Sequence, residues 1–461
     1  MSDQNQLSVI ILAAGKGTRM ASPLPKVLHP VAGVPMISRV VNSVKSAGAK
    51  DIRVVVGYGD KLVKQVVEPM GCGSFKQSQQ LGTADAVKSA EIDSLDGTVL
   101  IINGDHPLIT KDDIQKLWRQ HRESQNDLSV VSVKLKNPKK FGRIVRHMGQ
   151  IKAIVEAKDA SHETLKINEV NTGIYFVRAD VLQDYLPMIK NHNAQKEYYL
   201  TDLVSIAIEN QDKVGVIEAN RRVAFGVNDQ MELAKATSFI YKQNCKKLMQ
   251  NGVMILDPNN TYIDETVNIG AATVIYPGSF LKGSTNIGTY CVVEPNCYVV
   301  NSSIADSVVI HTFSHLEDCL IDKECFIGPY ARIRPGSDIK QGAKIGNFVE
   351  LKKVKFGKGS KASHLTYLGD AEIGEDVNIG CGTITCNYAV DKKKYITKIE
   401  DGVFVGSDTQ FVAPITVGKN AIIGSGSTIT KDVPSEALSV ARGKQIIKEN
   451  YTEKFKKDKK D

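Results

Sequence analysis

Leu12-Ala13-Ala14-Gly15-Lys16-Gly17-Thr18-Arg19-Met20, followed by Pro25-Lys26-Val27-Leu28, is the stretch on which the first half of the chain turns. Just before it, Val9, Ile10, Ile11 and Leu12 make an apolar, β-branched run, the pattern of a buried parallel strand that then breaks into glycines. A polar ligand is therefore expected at a strand's carboxyl end. Without a Cβ at Gly15 and Gly17, the surrounding N–H groups can approach a phosphate chain that a larger residue would hold away. Lys16, Arg19 and Lys26 bring three cations to the same place. Met20 stands where G-x-G-x-x-G needs its last glycine, and no Gly-Lys-Ser/Thr closes a P-loop. A phosphate loop of another kind is indicated, against the plainer alternative of a strand-to-helix turn with surface cations.

Working outward, residues 7 to about 228 alternate between strand-like and helix-like stretches. Helical periodicity runs from Pro35 to Ala47 and from Lys111 to Glu123. Strands are expected at Ile52 to Val56, Val99 to Ile102, Leu128 to Leu135 and Gly173 to Val177. That alternation predicts a doubly wound, Rossmann-like α/β domain with ligands at strand carboxyl ends. Val99 to Ile102 runs into Asn103-Gly104-Asp105, and Gly226-Val227-Asn228 precedes a long helix. One carboxylate and one amide, completed by substrate phosphates and water, would suit Mg²⁺; Gly-Asp is also a common turn. Asp229 to Gln250 is a mixed-charge helix stopped by Asn251-Gly252.

From Ile263 the periodicity changes. Apolar residues recur every six, at Ile263, Ile269, Ile275, Leu281, Ile287, Val293 and Val299, again from Ile327 to Leu351, and again from Ile399 to Ile429. A strict six fits neither helix nor flat strand; it is the hexapeptide repeat of a parallel β-helix. The rhythm slips between Leu351 and Ile373, a stretch that holds Lys352-Lys353 and His364-Leu365-Thr366-Tyr367-Leu368-Gly369-Asp370. An interrupted repeat is where a solenoid frees side chains for function. The organisation expected is thus 1–228, a linker 229–252, 253–445 and a basic tail 446–461.

These motifs resemble a known family. L-A-A-G-x-G-T-R-M with P-K-x-L is similar to the signature of sugar-1-phosphate nucleotidyltransferases. H-L-T-Y-L-G-D, with Asn378-Ile379-Gly380 and C-G-T-I-T-C-N-Y, resembles the acetyltransferase half of the bifunctional N-acetylglucosamine-1-phosphate uridylyltransferase / glucosamine-1-phosphate N-acetyltransferase (GlmU) family. The resemblance covers residues 8 to about 445, both halves in order. It implies a left-handed sense for the β-helix, which the right-handed crossover rule would not have chosen. In the first domain it implies that Leu12, Ala13, Ala14, Gly15, Gln77, Gly82 and Thr83 hold UTP, and that Arg19 and Lys26 carry catalytic charge. Gly142, Glu156, Asn171 and Asn228 would hold the sugar, with Asp105 and Asn228 ligating Mg²⁺. In the second it implies His364 as general base, and Arg334, Lys352, Tyr367 and Asn378 for glucosamine phosphate. Cys381, Asn387, Tyr388, Ser407, Ser425 and Arg442 would line the acetyl-CoA site. Glu197 to Asp202 is a further family-like segment, expected to be structural.

Five positions depart from the family pattern. Gln79 stands where Glu is expected, Cys381 where Ala is common, and His106 where a small or apolar residue usually follows the metal Asp. The family's N-Y-D-G reads Asn387-Tyr388-Ala389-Val390, which bears on acetyl transfer. The function implied is acetylation of glucosamine 1-phosphate and then its coupling to UTP, for bacterial cell-wall and lipopolysaccharide precursors, in a homotrimer. The competing expectation is a nucleotidyltransferase whose β-helix only assembles or regulates it.

Composition narrows the classes. At 461 residues with 42% apolar and 24% charged residues, the chain suits two or three ordinary globular domains. Its net charge of +8 is spread along the sequence, and the dense cluster from Lys454 to Lys460 is diluted by acids, so no nucleic-acid or membrane arm is expected. The start lacks a basic region followed by an apolar core, which predicts a cytoplasmic protein without membrane partners. Eight cysteines without a C-x-x-C pair predict neither zinc nor a redox motif.

Overall fold

The computed structural model describes residues 6–455; the first five residues and the tail's Lys456, Lys457, Lys459 and Lys460 lie outside the described residues. The chain divides into two compact units, Met1–Ile240 and Tyr241–Asp461, with the boundary inside the helix Gln230–Gln250.

In the first unit the strand Leu7–Ala13 lies in the middle of the main sheet. It pairs in parallel with Asp51–Val56 and Thr98–Asn103. Its residues are apolar on both faces because helices cover both. Leu7, Val9 and Ile11 pack with Ile37, Val40 and Val44 of the helix Met36–Ser46 and with Ile114 and Leu117 of Lys111–Glu123. Ile10 faces the other layer, with Val87 of Thr83–Lys88 and Leu203 and Val204 of Asp202–Glu209. The sheet is mixed, however, because Glu169–Arg178 runs antiparallel to both Thr98–Asn103 and Leu128–Lys134. A hairpin, Arg143–His147 with Gln150–Val155, joins it through Val170 and Arg143. The alternation of apolar runs did not disclose this hairpin, whose strands are only partly buried and carry Arg, His, Gln and Lys.

In the second unit each short strand pairs in parallel with the third strand after it. Ile263, Leu281, Val299, Leu316, Ile333, Leu351 and Leu368 stack on one another as the interior of one face. This is a parallel β-helix of hexapeptide repeats. The step between coils is 18 residues from Ile263 to Leu281, then 17 from Val299 to Leu316. One residue shed at a corner leaves the interior stack intact, so a strict six loses the stretch from Val299 to Ile327 although Ile304, Ile310, Leu316 and Ile321 are buried there. The slip after Leu351 is another such step, carried by two long strands, Lys344–Phe356 and Lys361–Ile373. The larger interruption comes later, where Ile373 pairs with Ile399 and the intervening coil throws out a loop closed by a bridge between Tyr388 and Lys394.

All eight cysteines are free, and six are buried; Cys381 and Cys386 are exposed. Among the described residues no helix is long and apolar enough to cross a membrane.

Candidate functional site

Because Leu7–Ala13 and Thr98–Asn103 are parallel neighbours, with Leu12 opposite Asn103, their carboxyl ends emerge together. That alone brings the glycine loop beside Asp105. Gly104 N donates to Leu12 O at 2.9 Å, and Val227 N donates to Asp105 O at 2.9 Å, so Asn228 joins the same cluster. Lys26 Nζ bonds Asp105 Oδ2 and reaches Asn228 Oδ1 at 3.4 Å, while Arg19 Nη2 donates to Asn228 Oδ1 at 2.9 Å. Burial opposes ionisation of Asp105, but Lys26 and His106 outweigh it and hold its pKa below the ordinary value. Lys16 departs from the expected cation cluster, since its ammonium lies over the Tyr58 ring. Gly17 has φ +61°, and a Cβ there would come within 2.6 Å of Lys26 Cβ, so this glycine lets the lysine close over the loop.

Two clefts share this centre. One is lined by Leu12 to Gly15, Lys26, Gln77, Gly82, Thr83, Asn103 and Asp105, and also by Gln80 and Glu197. Gln77 Nε2 donates to Asp85 Oδ2 at 2.7 Å and Gln80 Nε2 to Ala14 O at 2.6 Å, which ties the 77–85 segment to the glycine loop. Tyr198 braces it from outside, donating from N to Leu81 O at 2.8 Å and accepting from Ala84 N at 2.9 Å. Gly82, at φ +128°, is required by that bracing because a Cβ would lie 2.4 Å from Tyr198 O. The second cleft holds Gly142, Glu156, Asn171, Tyr175 and Asn228, again with Asp105 and His106. Asn171 Nδ2 donates to Tyr175 OH at 2.6 Å, and Asn171 N to Gly142 O at 2.9 Å. Burial, with Asp159 and Asp202 nearby, raises the pKa of Glu156. The guanidinium of Arg143 is buried and bonds the carbonyls of Lys139, Phe141 and Leu165, fixing the loop that presents Gly142.

Asp105 Oδ1 is buried without a hydrogen-bond partner, and two cationic side chains meet on Asn228 Oδ1. Such oxygens fit a hard divalent cation. Among the described residues no group of three His, Cys, Asp or Glu could hold a metal ion by itself, so substrate and water would complete its shell.

In the β-helix, parallel register sets Arg334 beside Lys352, and Glu350 beside Tyr367. Arg334 Nη1 donates to Glu350 Oε1 at 2.8 Å. Lys394 crosses from the extruded loop to lie against Lys352, and its ammonium, with Arg334, pushes the pKa of Lys352 down. Arg334, Lys352 and Lys394, with Glu350 and Asp370 beside them, leave a surplus of positive charge that suits an anion. His364, one coil after Asn347, is exposed, and its Nδ1 donates to Asn347 Oδ1 at 2.6 Å. That leaves the lone pair on Nε2. Asn387 is buried and donates to Asp370 Oδ2 at 2.5 Å, while Tyr388 is exposed. Cys381, Ser407 and Ser425 rise along one corner, tied by Asp408 N to Cys381 O at 2.6 Å and Gly426 N to Ser407 O at 2.8 Å. Arg442 folds over them, donating to Ser425 O at 2.8 Å. Asn378 is exposed and pairs with Lys361.

Sequence reasoning missed Gln80, Glu197, Lys394 and Asn347. The 17-residue coil step was the signal that could have found Asn347 beneath His364.

Residues 9–162 match the family of MobA-like NTP transferase domains, and residues 396–431 match bacterial transferase hexapeptide repeats. A protein of Bdellovibrio bacteriovorus named bifunctional protein GlmU is 60% identical over 448 residues, covering 97% of this chain and 98% of its own. Proteins of the same name from Carboxydothermus hydrogenoformans (46% identical, 96% of this chain and 99% of theirs) and Brevibacillus brevis (44%, 98% and 98%) are similar along the same span.

Proposed function

The chain belongs to the GlmU family of bifunctional proteins, and from that premise we propose how its two units divide the chemistry. It acetylates glucosamine 1-phosphate with acetyl-CoA and couples the N-acetylglucosamine 1-phosphate to UTP, releasing pyrophosphate. The observation that carries this reading is that each unit gathers its own reacting groups, Lys26 with Asp105 and Asn228 in one, His364 with Asn347 in the other.

In the second unit the substrate amine attacks the thioester carbonyl, the carbon–sulfur bond breaks, and CoA leaves. His364 Nε2 takes the amine proton. Arg334, Lys352 and Lys394 hold the phosphate, helped by Tyr367 and Asn378, and the corner from Cys381 to Arg442, with Asn387 and Tyr388, receives acetyl-CoA. In the first unit a sugar-phosphate oxygen attacks the α-phosphorus of UTP and pyrophosphate departs. The backbone of Ala13 to Gly15 and the 77–83 segment hold the nucleotide. Glu156, Asn171 and Gly142 orient the sugar, while Arg19 and Lys26 offset charge as it develops. Asp105 and Asn228 hold Mg²⁺, which when bound neutralises phosphate charge.

Separate assays of pyrophosphate release and CoA thiol release by the purified chain test this. Pyrophosphate release without thiol release would leave the β-helix a scaffold and make Ala389-Val390 the mark of a lost site.

Gly17→Ala is expected to slow pyrophosphate release by about a hundredfold through displacement of Lys26, the scale of an ångström-sized misplacement. Thiol release in the same variant should be unchanged. An unchanged pyrophosphate rate would remove Lys26 positioning from the argument.

We also propose a homotrimer. Phe313, Tyr330, Phe348 and Leu365 form an exposed apolar ridge whose rings stack at 5.1 and 5.2 Å, running up to the neighbour of His364. All four have positive φ, a conformation costing roughly 1–2 kcal/mol for a bulky residue. Glycine occupies the same corner at Gly278 and Gly382. Large side chains at a strained, solvent-facing corner support burial against further copies. The full chain should sediment as a trimer and Tyr330→Glu should shift it toward monomer; a monomeric wild type would defeat the idea.

A further inference from the structure

His106 stands beside Asp105 at the first unit's centre. It is 4% exposed, and it lines the sugar-side cleft together with Asp105, Gly226 and Asn228. A buried imidazole costs free energy unless its nitrogens are used. Its Nδ1 has no hydrogen-bond partner, and Nε2 stands 3.7 Å from Asp105 Oδ1, too far for a hydrogen bond. Asp105 Oδ1 is itself buried and unpartnered. His106 Nε2 and Asp105 Oδ1 both border the space beside Gly226: a Cβ on it would lie 3.2 Å from His106 Cδ2 and Nε2 and 3.7 Å from Asp105 Oδ1.

We propose that His106 Nε2 is a nitrogen donor to the divalent cation held by Asp105 and Asn228, giving a mixed nitrogen–oxygen site that favours Mn²⁺ and Co²⁺ over Mg²⁺. The proposal rests on the reading of Asp105 and Asn228 as cation ligands. His106 Nε2 and Asp105 Oδ1, 3.7 Å apart, lie within reach of one shared cation. Mg²⁺ prefers an all-oxygen shell, whereas imidazole binds the first-row transition cations with affinity rising from Mn²⁺ to Co²⁺. In this site the imidazole takes a position that water would otherwise fill.

The test uses the full chain with Mn²⁺ as probe. Electron spin echo envelope modulation of bound Mn²⁺ should show coupling to a directly bound imidazole nitrogen in wild type and none in His106→Val. By calorimetry, His106→Val should lower the Co²⁺-to-Mg²⁺ affinity ratio on the order of tenfold. Asp105→Asn separates the two levels of the argument. If that variant loses Mn²⁺ but wild type shows no nitrogen coupling, the imidazole is not a ligand and the carboxylate site stands. If the nitrogen signal survives in His106→Val, another histidine supplies it and the proposal falls. If Asp105→Asn binds Mn²⁺ as wild type does, the cation reading of the site is itself wrong.

Discussion

Asp105→Asn is expected to cut pyrophosphate release from UTP by at least 10²- to 10³-fold, the scale set by removing one preorganised charge-stabilising group, while CoA thiol release stays near wild type. The carboxylate sits where three features meet. It accepts from Lys26, its second oxygen is buried without a partner, and the backbone carbonyl of the same residue accepts from Val227 N and so holds Asn228 alongside. Replacing one carboxylate oxygen by an amide nitrogen keeps the shape. It removes the charge that Lys26 answers, and it turns a donor toward the position where a cation would sit. The second activity should be spared because its interior, from Cys245 to Val433, is an apolar cluster built from the second unit's own residues. Parallel loss of both activities in a protein that remained folded would sink the assignment of one reaction to each unit.

The glycine loop and the two strand ends were legible because each depends on local chemistry: an apolar run of one strand's length, then residues that only a ligand or a turn explains. Lys111–Glu123 could be read to the residue from its helical periodicity, and in the structure Thr110 and Asp113 close a capping box at its start. The hairpin at Arg143–His147 was not legible. Its strands alternate weakly, and the pairing of Arg143–His147 with Glu169–Arg178 is long-range. In the β-helix the interior rhythm could be read, yet coil length could not. Corners accept residues at positive φ as different as Gly278, Asn296, Phe313 and Asp408, so they leave no compositional mark, and one residue more or less passes unseen. What that concealed was register, which is how Asn347 came to be overlooked as the partner of His364. The loop that delivers Lys394 was hidden for a related reason: it interrupts the repeat without apolar residues of its own period. Glu197 was read as structural, and Tyr198 beside it does brace the 81–84 backbone, but Glu197 itself also lines the nucleotide-side cleft.

His364→Ala is expected to lose between roughly 10² and 10⁴ of the acetyl-transfer rate, the range that a positioned general base contributes. Thiol release at saturating acetyl-CoA measures it, and pyrophosphate release from UTP should be unchanged, since this histidine and its partner Asn347 both belong to the second unit. The hydrogen bond from Nδ1 to Asn347 Oδ1 sharpens the expectation. It fixes the tautomer that leaves Nε2 free to accept a proton, and it orients a ring that is otherwise exposed on the outside of the coil. Asn347→Ala should therefore lower the turnover number with little change in the Michaelis constant for glucosamine 1-phosphate, because Asn347 bonds the proposed base and is separate from the Arg334, Lys352 and Lys394 group proposed for the phosphate. Arg334→Ala should show the opposite split. Near-wild-type thiol release by His364→Ala would mean that the amine reaches the thioester already deprotonated or loses its proton to water, and Asn347 would then be holding a surface ring for packing alone.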